Sequence, residues 1–281
     1  NSYMIANARA IAEIADTAGR TETADEFRRK AEQLRARFRD AMWDEDARFF
    51  KVRFEDGGLS DAREAIGFVP WMFDIPTADW ACDDAWNQLT DSGGFDATFG
   101  LTTAEQRHPS FRTHGIGTCE WDGAVWPFAT SQTLSALARL LHSRTEAPLD
   151  RRHYFNALST YARGHQRDGL PYIGEYMDET TGQWLKGRSE RSRYYNHSSF
   201  ADLVITGLVG LVPREDNIIE IKPLLPVDSW DWFCLDGVPY HGRSLTILWD
   251  RTGEQYGLGA GLRVFADGQE FGEGGLFVGG G

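Results

Sequence analysis

The spacing of apolar residues changes at Pro213, and this change constrains the fold more than any other feature of the sequence. Up to about residue 212, apolar side chains recur at intervals of three and four, the period of an amphipathic helix. Beyond Pro213, apolar and polar residues tend to alternate, as in half-buried strands. We therefore predict a mainly α region at 1–212 and a small antiparallel β unit at 213–281.

The α region is predicted to consist of paired helices with long, aromatic-rich connectors between the pairs. Helices are expected at 3–17, 22–43, 78–90, 124–143, 150–167 and 197–211, with no strand between residues 120 and 212. Gly19 is a usual stop for the first helix, and Thr21 suits the N-cap of the second. This alternation is typical of a toroid of α/α hairpins, of which residues 1–212 would form part.

The β unit is punctuated by turn residues. Strands are predicted at 233–240, 244–250 and 262–265, and Asp267-Gly268 predicts a type I′ hairpin leading to 269–271. Pro223, Pro226 and Pro239 keep the first strands from a central position, because proline cannot donate a hydrogen bond to a neighbouring strand.

Composition narrows the class of protein. The formal net charge of −13 argues against nucleic acid and anionic membrane surfaces as partners. No apolar run approaches the roughly 20 residues that a membrane-spanning helix needs. Cys82, Cys119 and Cys234 lie far apart without a CxxC spacing, so neither a disulfide framework nor a zinc site is predicted. We expect no cofactor and no metal, with calcium held by loop carbonyls left open.

Both ends of the sequence have the character of internal segments. Residue 1 is Asn rather than Met, a helical pattern begins at once, and the sequence closes as GGLFVGGG. We therefore expect the N-terminal part of the same polypeptide to be missing, together with any targeting information.

The segment EWDGAVWP at 120–127 predicts a ligand site. It places Glu120, Trp121, Asp122 and Trp126 together at the start of an apolar helix. Tryptophan is costly to expose, and carboxylates are seldom buried without partners. A sugar pocket uses both, because sugar rings need flat apolar platforms and their hydroxyl groups need acceptors. The alternative is that the tryptophans pack beneath a loop while the acids face solvent.

Four further motifs accompany this one: GFVPW at 67–71, GLTTAEQRHP at 100–109, GEYMDETTGQW at 174–184 and YNHS at 195–198. Together they resemble the inverting glycoside hydrolases with an (α/α)6 barrel, most closely the mannosylglycerate-hydrolase-like group related to glycoside hydrolase family 63. The segment DGVPYHG at 236–242 is similar to the β-sandwich appendage of relatives. The resemblance covers nearly the whole chain.

The resemblance implies a partial (α/α)6-type toroid and a two-carboxylate, inverting hydrolysis of an oligosaccharide or small glycoside. Its general base, a glutamate in an E-x-(Y/L)-x-x-x-T-G segment, corresponds to Glu175. Its general acid is an aspartate that precedes the helix opening this chain, so residues 1–281 are expected to lack it and to be inactive alone. Relatives usually have proline at the position of Glu179, so this loop is expected to differ in shape.

The acids of the 120–127 segment are expected to bind substrate. Glu120 and Asp122 are two residues apart in one loop, which leaves little room for opposed roles across a glycosidic bond. Either residue would serve as the general acid only if the general acid does not lie in the missing N-terminal part. Arg107 and His108 either orient substrate or hold their own loop through carboxylate pairing.

Aromatic residues beside the motifs are candidates for contact with a sugar. They are Trp71, Trp121, Trp126, Tyr176 and Trp184. Core packing is the alternative for the tryptophans, since a Trp before Pro at a helix start is as often buried. His197 is either a donor in the pocket or a neighbour of a helix cap.

Other functional classes stay open at this point. The chain is alternatively a non-catalytic carbohydrate-binding or structural remnant of such an enzyme, and a phosphorylase or lyase on the same toroid is a third class. A phosphorylase needs a basic phosphate site, and near Glu175 only the KGR segment at 186–188 is basic.

Overall fold

The computed structural model describes residues 1–115, 120–186, 192 and 199–271. The chain divides into two units. Unit 1 comprises Asn1–Asp150 and Ala157–Ser198, and unit 2 comprises Arg151–Asn156 and Ser199–Gly281. The domain boundary predicted after residue 212 states that the two parts of the chain fold independently, and it stays a prediction.

Unit 1 begins with a helical hairpin. Helix α1 covers Ser2–Thr17 and helix α2 covers Thr21–Met42. The buried face of α1 consists mainly of small residues at helical spacing, namely Ile5, Ala8, Ala12 and Ala15. Gly19 adopts a φ of 67° in the turn between the helices, a conformation that favours glycine.

Two further helices are α4, Pro127–Ser143, and α5, Arg151–Gly164, of which the part from Ala157 belongs to unit 1. Proline starts α4, where its missing N–H would have no helical partner. Leu134 and Leu137 are fully buried. The hydroxyl of Tyr161 on α5 donates a hydrogen bond of 3.1 Å to the Pro127 carbonyl.

The connectors of unit 1 contain short elements. They are β1 (Trp43–Asp44), β2 (Phe49–Phe50), a 3₁₀ turn (Ala65–Phe68), α3 (Val69–Met72), two more 3₁₀ turns (Ala78–Trp80 and Asp83–Leu89), β3 (Asp96–Ala97), β4 (Gly100–Leu101), β5 (Gln166–Arg167) and β6 (Leu170–Pro171). The predicted helix at 78–90 is therefore two 3₁₀ segments. Each β pair is antiparallel and two residues long.

The expectation of no strand between 120 and 212 is wrong, because β5, β6 and β7 (Leu211–Val212) lie there. Two-residue strands are too short to produce a detectable alternation. Asp168 and Gly169 form the turn of the β5–β6 hairpin with φ values of 54° and 78°. The same Asp-Gly signal predicts the hairpin at Asp267-Gly268. The turn of the β5–β6 hairpin was therefore detectable from the sequence, although its strands were not.

An aromatic cluster fills the core of unit 1. Phe68 is fully buried and packs against Trp86 and Phe95 with ring centroids 4.5 and 5.2 Å apart. Phe49 packs against both Phe68 and Phe95, with ring centroids 5.0 and 5.8 Å apart. All four residues lie in the long connector between α2 and α4, so the cluster holds the parts of that connector together.

Unit 2 contains α6 (Phe200–Asp202), which continues as a π-helical segment, Leu203–Leu208. The predicted helix at 197–211 thus ends earlier, and its first two residues lie outside the described part. Tyr154 is fully buried, and its hydroxyl donates to the Leu203 carbonyl at 2.8 Å. A β-carbon on Gly207 would lie 1.9 Å from that hydroxyl, so only glycine fits there.

The sheet of unit 2 is antiparallel, in the order β12-β11-β10-β9. Its strands are β9 (Trp232–Tyr240), β10 (Arg243–Asp250), β11 (Gly261–Ala266) and β12 (Gln269–Glu270), and a separate pair joins β7 to β8 (Glu220–Ile221). Pro239 lies on the edge strand β9, as predicted. Asp267 and Gly268 have φ values of 51° and 78°, which confirms the type I′ turn.

The predicted fold class, helical hairpins followed by a small antiparallel β unit, is confirmed. Among the helices of the described residues, none combines the length and the apolar character that crossing a bilayer requires.

Candidate active site

Three connector segments meet side by side in unit 1. Single β-bridges join Thr102 to Val125, Val125 to Met177, and Met177 to Trp184. Val125 and Met177 exchange two backbone hydrogen bonds of 2.9 Å. This ladder brings the GLTT, EWDGAVWP and GEYMDETTGQW segments together, although they are far apart in sequence.

Thr103 fixes the 120–127 segment through two hydrogen bonds. Its hydroxyl donates to the Glu120 carbonyl at 3.3 Å and accepts from the Gly123 N–H at 3.0 Å. Gly123 has a φ of 147°, and a β-carbon there would lie 2.4 Å from the Phe111 ring. The turn therefore needs glycine, which sets the directions of Asp122 and the tryptophans.

Glu175 and Glu120 converge on one ammonium group. Nζ of Lys186 lies 3.7 Å from Oε2 of Glu175 and 3.4 Å from Oε2 of Glu120. Glu120 is fully buried, and Glu175 is 8% exposed. The hydroxyl of Ser192 donates to Oε2 of Glu175 at 3.0 Å. Because both carboxylates contact the same nitrogen, the two sit within one small site.

An aromatic stack lies beside these carboxylates. The rings of Trp126 and Tyr176 are inclined by only 25°, with centroids 5.3 Å apart. Trp121 meets Trp126 edge-on at 4.3 Å and is 46% exposed. Nζ of Lys186 lies 4.8 Å from the centroid of the Tyr176 ring. Trp121 is thus the exposed ring of the stack, whereas Trp126 and Tyr176 are buried.

Asp122 carries a buried oxygen without a hydrogen-bond partner. Its side chain is 8% exposed, and Oδ2 accepts a hydrogen bond of 2.9 Å from the His114 N–H. The His114 ring lies 3.7 Å from the same oxygen. Oδ1 has no hydrogen-bond partner. An unsatisfied buried oxygen is costly, so a group that donates to Oδ1 would be stabilised there.

Arg112 links the two loops that carry the carboxylates. Its N–H donates to the Asp122 carbonyl at 2.8 Å. Its Nε lies 3.2 Å from Oε2 of Glu179, and its Nη2 lies 3.7 Å from Oδ2 of Asp178. All three side chains are largely buried. Glu179, where the resemblance implies proline, therefore serves here as an anchor of the loop.

Arg107 and His108 hold their own loop in this structure. Arg107 pairs with Asp91 and donates to the Gly93 carbonyl at 2.9 Å. Nε2 of His108 lies 3.4 Å from Asp61, and its Nδ1 accepts from the Ser110 N–H. These contacts favour the loop-holding alternative over contact with substrate.

Trp71 and Trp184 have structural partners. Trp71 is 2% exposed, donates from Nε1 to Asp83 at 2.7 Å and packs against Trp86, which favours the core role. Trp184 donates to the Gln166 carbonyl at 2.9 Å and packs against Tyr172. It also borders a polar cavity of about 350 Å³. His197 lies outside the described residues.

Sequence reasoning did not single out Lys186, Ser192 or Arg112. In the sequence, Lys186 is distinguished only as part of a basic segment near Glu175. The available signal was a short basic segment close in sequence to a candidate catalytic carboxylate. Among the described residues, no group of three or more His, Cys, Asp or Glu side chains is arranged to hold a metal ion.

Two family models match this chain. Residues 1–198 match the family described as the mannosylglycerate hydrolase MGH1-like glycoside hydrolase domain. Residues 213–272 match the C-terminal domain of glycosyl hydrolase family 65.

Among solved structures, a protein described as a sialidase is 49% identical to this chain, with a TM-score of 0.93. The match covers 96% of this chain but only 25% of that one, so this chain spans about a quarter of the relative's length.

The GH63 mannosylglycerate hydrolase from Thermus thermophilus, solved with Tris and D-glycerate, is 18% identical, with a TM-score of 0.50. That match covers 66% of this chain and 41% of the hydrolase, and it bears on the fold alone. The family match over residues 1–198 establishes that the chain belongs to the MGH1-like glycoside hydrolases.

Proposed function

We propose that this chain carries the base side of an inverting glycoside hydrolase site, with Glu175 as the general base and a carbohydrate as substrate. The observation that carries the proposal is the convergence of Glu175 and Glu120 on Lys186 beside the aromatic stack. Inverting hydrolysis needs a carboxylate that takes a proton from water on the face opposite the leaving group.

The contacts of Glu175 suit this role. Ser192 and Lys186 both approach Oε2, which fixes the carboxylate and leaves Oε1 to accept the proton of a water molecule. Glu175 is mostly buried, so that water would be held in a confined position. Carboxyl side chains beside the reacting carbon of the sugar, here Glu120 and Glu175, would favour a transition state of oxocarbenium character.

The sugar is proposed to lie against Trp121, with a hydroxyl group donating to Oδ1 of Asp122. Trp121 offers an exposed indole, and Asp122 offers the unsatisfied oxygen. Stacking on an indole and hydrogen bonding to a buried carboxylate together fix both face and orientation. The general acid is proposed to come from a part of the protein outside residues 1–281, as the resemblance implies.

The test compares wild type with Glu175→Gln in the longest polypeptide that the gene encodes, and in the 281-residue chain. The amide keeps the shape of the side chain but cannot take a proton from water. We expect kcat on aryl glycosides to fall by about 10²–10⁴, while sugar affinity measured by calorimetry stays within about threefold, as for a change that removes only transition-state stabilisation. Glu146→Gln, in an exposed loop, is the matched control.

The outcomes separate the functional classes. Wild-type turnover by Glu175→Gln would remove Glu175 from the base role. Retention of configuration in the first product, followed by proton NMR, would refute inversion. Full activity of the 281-residue chain alone would place the acid within it, at Glu120 or Asp122. Sugar binding without turnover in every form would favour the non-catalytic alternative.

A further inference from the structure

A polar cavity of about 350 Å³ lies at the surface of unit 1. It is lined by the β5–β6 hairpin and by the segment that precedes Lys186, namely Gln166, Arg167, Asp168, Gly182, Gln183 and Trp184. We propose that this cavity is a second carbohydrate site and that it binds a neutral sugar unit. The proposal does not depend on the role of Glu175, because the cavity and the aromatic stack lie on opposite faces of one connector segment.

The side chains of two consecutive residues show that the faces differ. Trp184 borders the cavity. Leu185, the next residue, packs instead against the buried cluster that contains Trp126 and Tyr176. Consecutive residues of an extended segment point to opposite faces. A sugar in the cavity would therefore not occupy the place proposed for a sugar against Trp121.

Hydrogen bonds fix both walls of the cavity. The Trp184 indole donates from Nε1 to the Gln166 carbonyl at 2.9 Å, which ties one wall to the other. Oε1 of Gln166 accepts from the Gly169 N–H at 3.2 Å, across the turn of the hairpin. The Gln183 carbonyl accepts from the Asp178 N–H at 2.8 Å. The walls are therefore ordered before a ligand enters, which lowers the entropic cost of binding.

The polar groups of the lining suit the hydroxyl groups of a sugar. Within the described part of the chain, no hydrogen bond occupies Nε2 of Gln166 or the side-chain amide of Gln183. Gln166 thus retains donors, and Gln183 retains donors and an acceptor. A sugar hydroxyl group can both donate and accept, so it can bond to either. Trp184 is partly exposed, and its indole offers an apolar surface to the C–H groups of a ring.

The formal charges of the lining balance. Arg167 and Asp168 are its charged residues, and Nε of Arg167 lies 3.7 Å from Oδ2 of Asp168. A sugar acid would lose hydration of its carboxylate without gaining a net attraction, so a neutral sugar is favoured. The volume lies at the lower end of the roughly 300–1,000 Å³ that small-molecule sites occupy, which suits a ligand of one or two rings.

The experiment follows indole N–H resonances of the 281-residue chain by proton–nitrogen correlation NMR. The added probes are methyl glycosides of glucose, galactose and mannose. The Trp184 resonance, assigned by its loss in Trp184→Phe, reports on the cavity. The Trp121 resonance, assigned in the same way, reports on the site of the proposed function. We expect the Trp184 resonance to shift in a saturable manner with at least one of the glycosides.

Gln183→Ala tests the contact with the cavity. This change removes one amide from an exposed position, so the Kd reported by Trp184 should rise by about threefold to tenfold, as for the loss of one hydrogen bond. Gln33→Ala, at an exposed glutamine on α2, is the matched control and should leave that Kd unchanged.

Asp168→Asn tests the charge balance. Asparagine tolerates the φ of 54° at this position, so the turn is kept while the lining gains one net positive charge. D-glucuronate should bind the wild-type cavity more weakly than the neutral glycosides. Its affinity should rise by about twofold to fivefold in Asp168→Asn, as for an exposed charge pair, while the affinity for neutral glycosides stays within about twofold.

An unmoved Trp184 resonance with each glycoside at about 50 mM, well above a Kd of about 1 mM, would overturn the proposal. Equal Kd values for wild type and Gln183→Ala, or glucuronate binding to wild type as tightly as the neutral glycosides, would overturn it too. A shift of the Trp121 resonance alone would support the sugar position in the proposed function and reject the cavity. A shift of the Trp184 resonance alone would support the cavity and reject that sugar position.

Discussion

The Gly174→Ala change tests whether the backbone next to Glu175 is fixed by its surroundings. A β-carbon on Gly174 would lie 2.4 Å from Cε3 of Trp184 and 2.9 Å from its Cδ2. The indole resists displacement, because its Nε1 donates to the Gln166 carbonyl at 2.9 Å and its ring packs against Tyr172. The added methyl group must therefore move either the indole or the backbone that carries Glu175.

The magnitude follows from these contacts. Overpacking against a rigid neighbour costs about 1–3 kcal/mol. Loss of the indole hydrogen bond adds about 1 kcal/mol. We expect a total destabilisation of about 2–4 kcal/mol. For a unit of this size, that corresponds to a fall in Tm of about 5–15 °C.

The matched control is Gly164→Ala, at the last residue of α5. A β-carbon there would lie 3.2 Å from Cε of Met177, the end of a flexible side chain that can move aside. The gain in helix propensity offsets that contact. Its Tm should stay within about 3 °C of wild type. Differential scanning calorimetry of both variants provides the comparison.

A double-mutant cycle identifies the cause. If the clash with Trp184 is responsible, Gly174→Ala should cost little once Trp184→Ala is present. The double variant should then be as stable as Trp184→Ala alone. Additive losses, or a loss for Gly174→Ala no larger than that for Gly164→Ala, would refute the argument that Trp184 fixes this backbone.

Two further predictions concern buried ionisable groups. Glu105 is 3% exposed and accepts hydrogen bonds from the N–H and Nη1 of Arg63 at 2.8 and 2.7 Å. Arg63→Met removes the second bond but leaves the N–H donor and Arg107, whose Nε lies 3.6 Å from Glu105, so it should cost about 1–3 kcal/mol in urea unfolding; an unchanged midpoint would contradict this. Burial lowers the pKa of His165, so the unfolded chain binds a proton there first and stability is lost as pH falls below about 6.5. His165→Gln should lose less Tm than wild type between about pH 7 and about pH 5, and parallel curves would refute the assignment.

The fold could be predicted wherever a single physical signal spans a whole element. The apolar face of α1 and the Asp267-Gly268 turn are local features, and the structure confirms both. The β5–β6 hairpin was missed because its strands are too short to show alternation, although its turn has the same two residues. The two hairpins have the same turn residues, so the length of the strands decided which hairpin was predicted.

The candidate site was predictable as a set of loops but not as a set of contacts. The motif around Glu120 and the one around Glu175 each indicate a ligand site by their residue types. Trp71 has the same residue type as Trp121, yet one is buried against Asp83 and the other is exposed. The difference arises from which connector packs beneath each ring, and sequence spacing does not encode it.

The bridge between Val125 and Met177 explains why the cation was missed and why it matters. Lys186 follows Glu175 by eleven residues in an irregular loop, where neither helical nor strand periodicity relates the two side chains. The loop folds back because the Leu185 N–H donates to the Tyr176 carbonyl at 2.9 Å. That return places the ammonium over the ring of Tyr176, while the bridge brings Glu120 to its other side. The contact of Lys186 with both carboxylates thus depends on backbone pairing between two loops. Substitutions at Val125 or Met177 should therefore alter this contact although neither residue is charged.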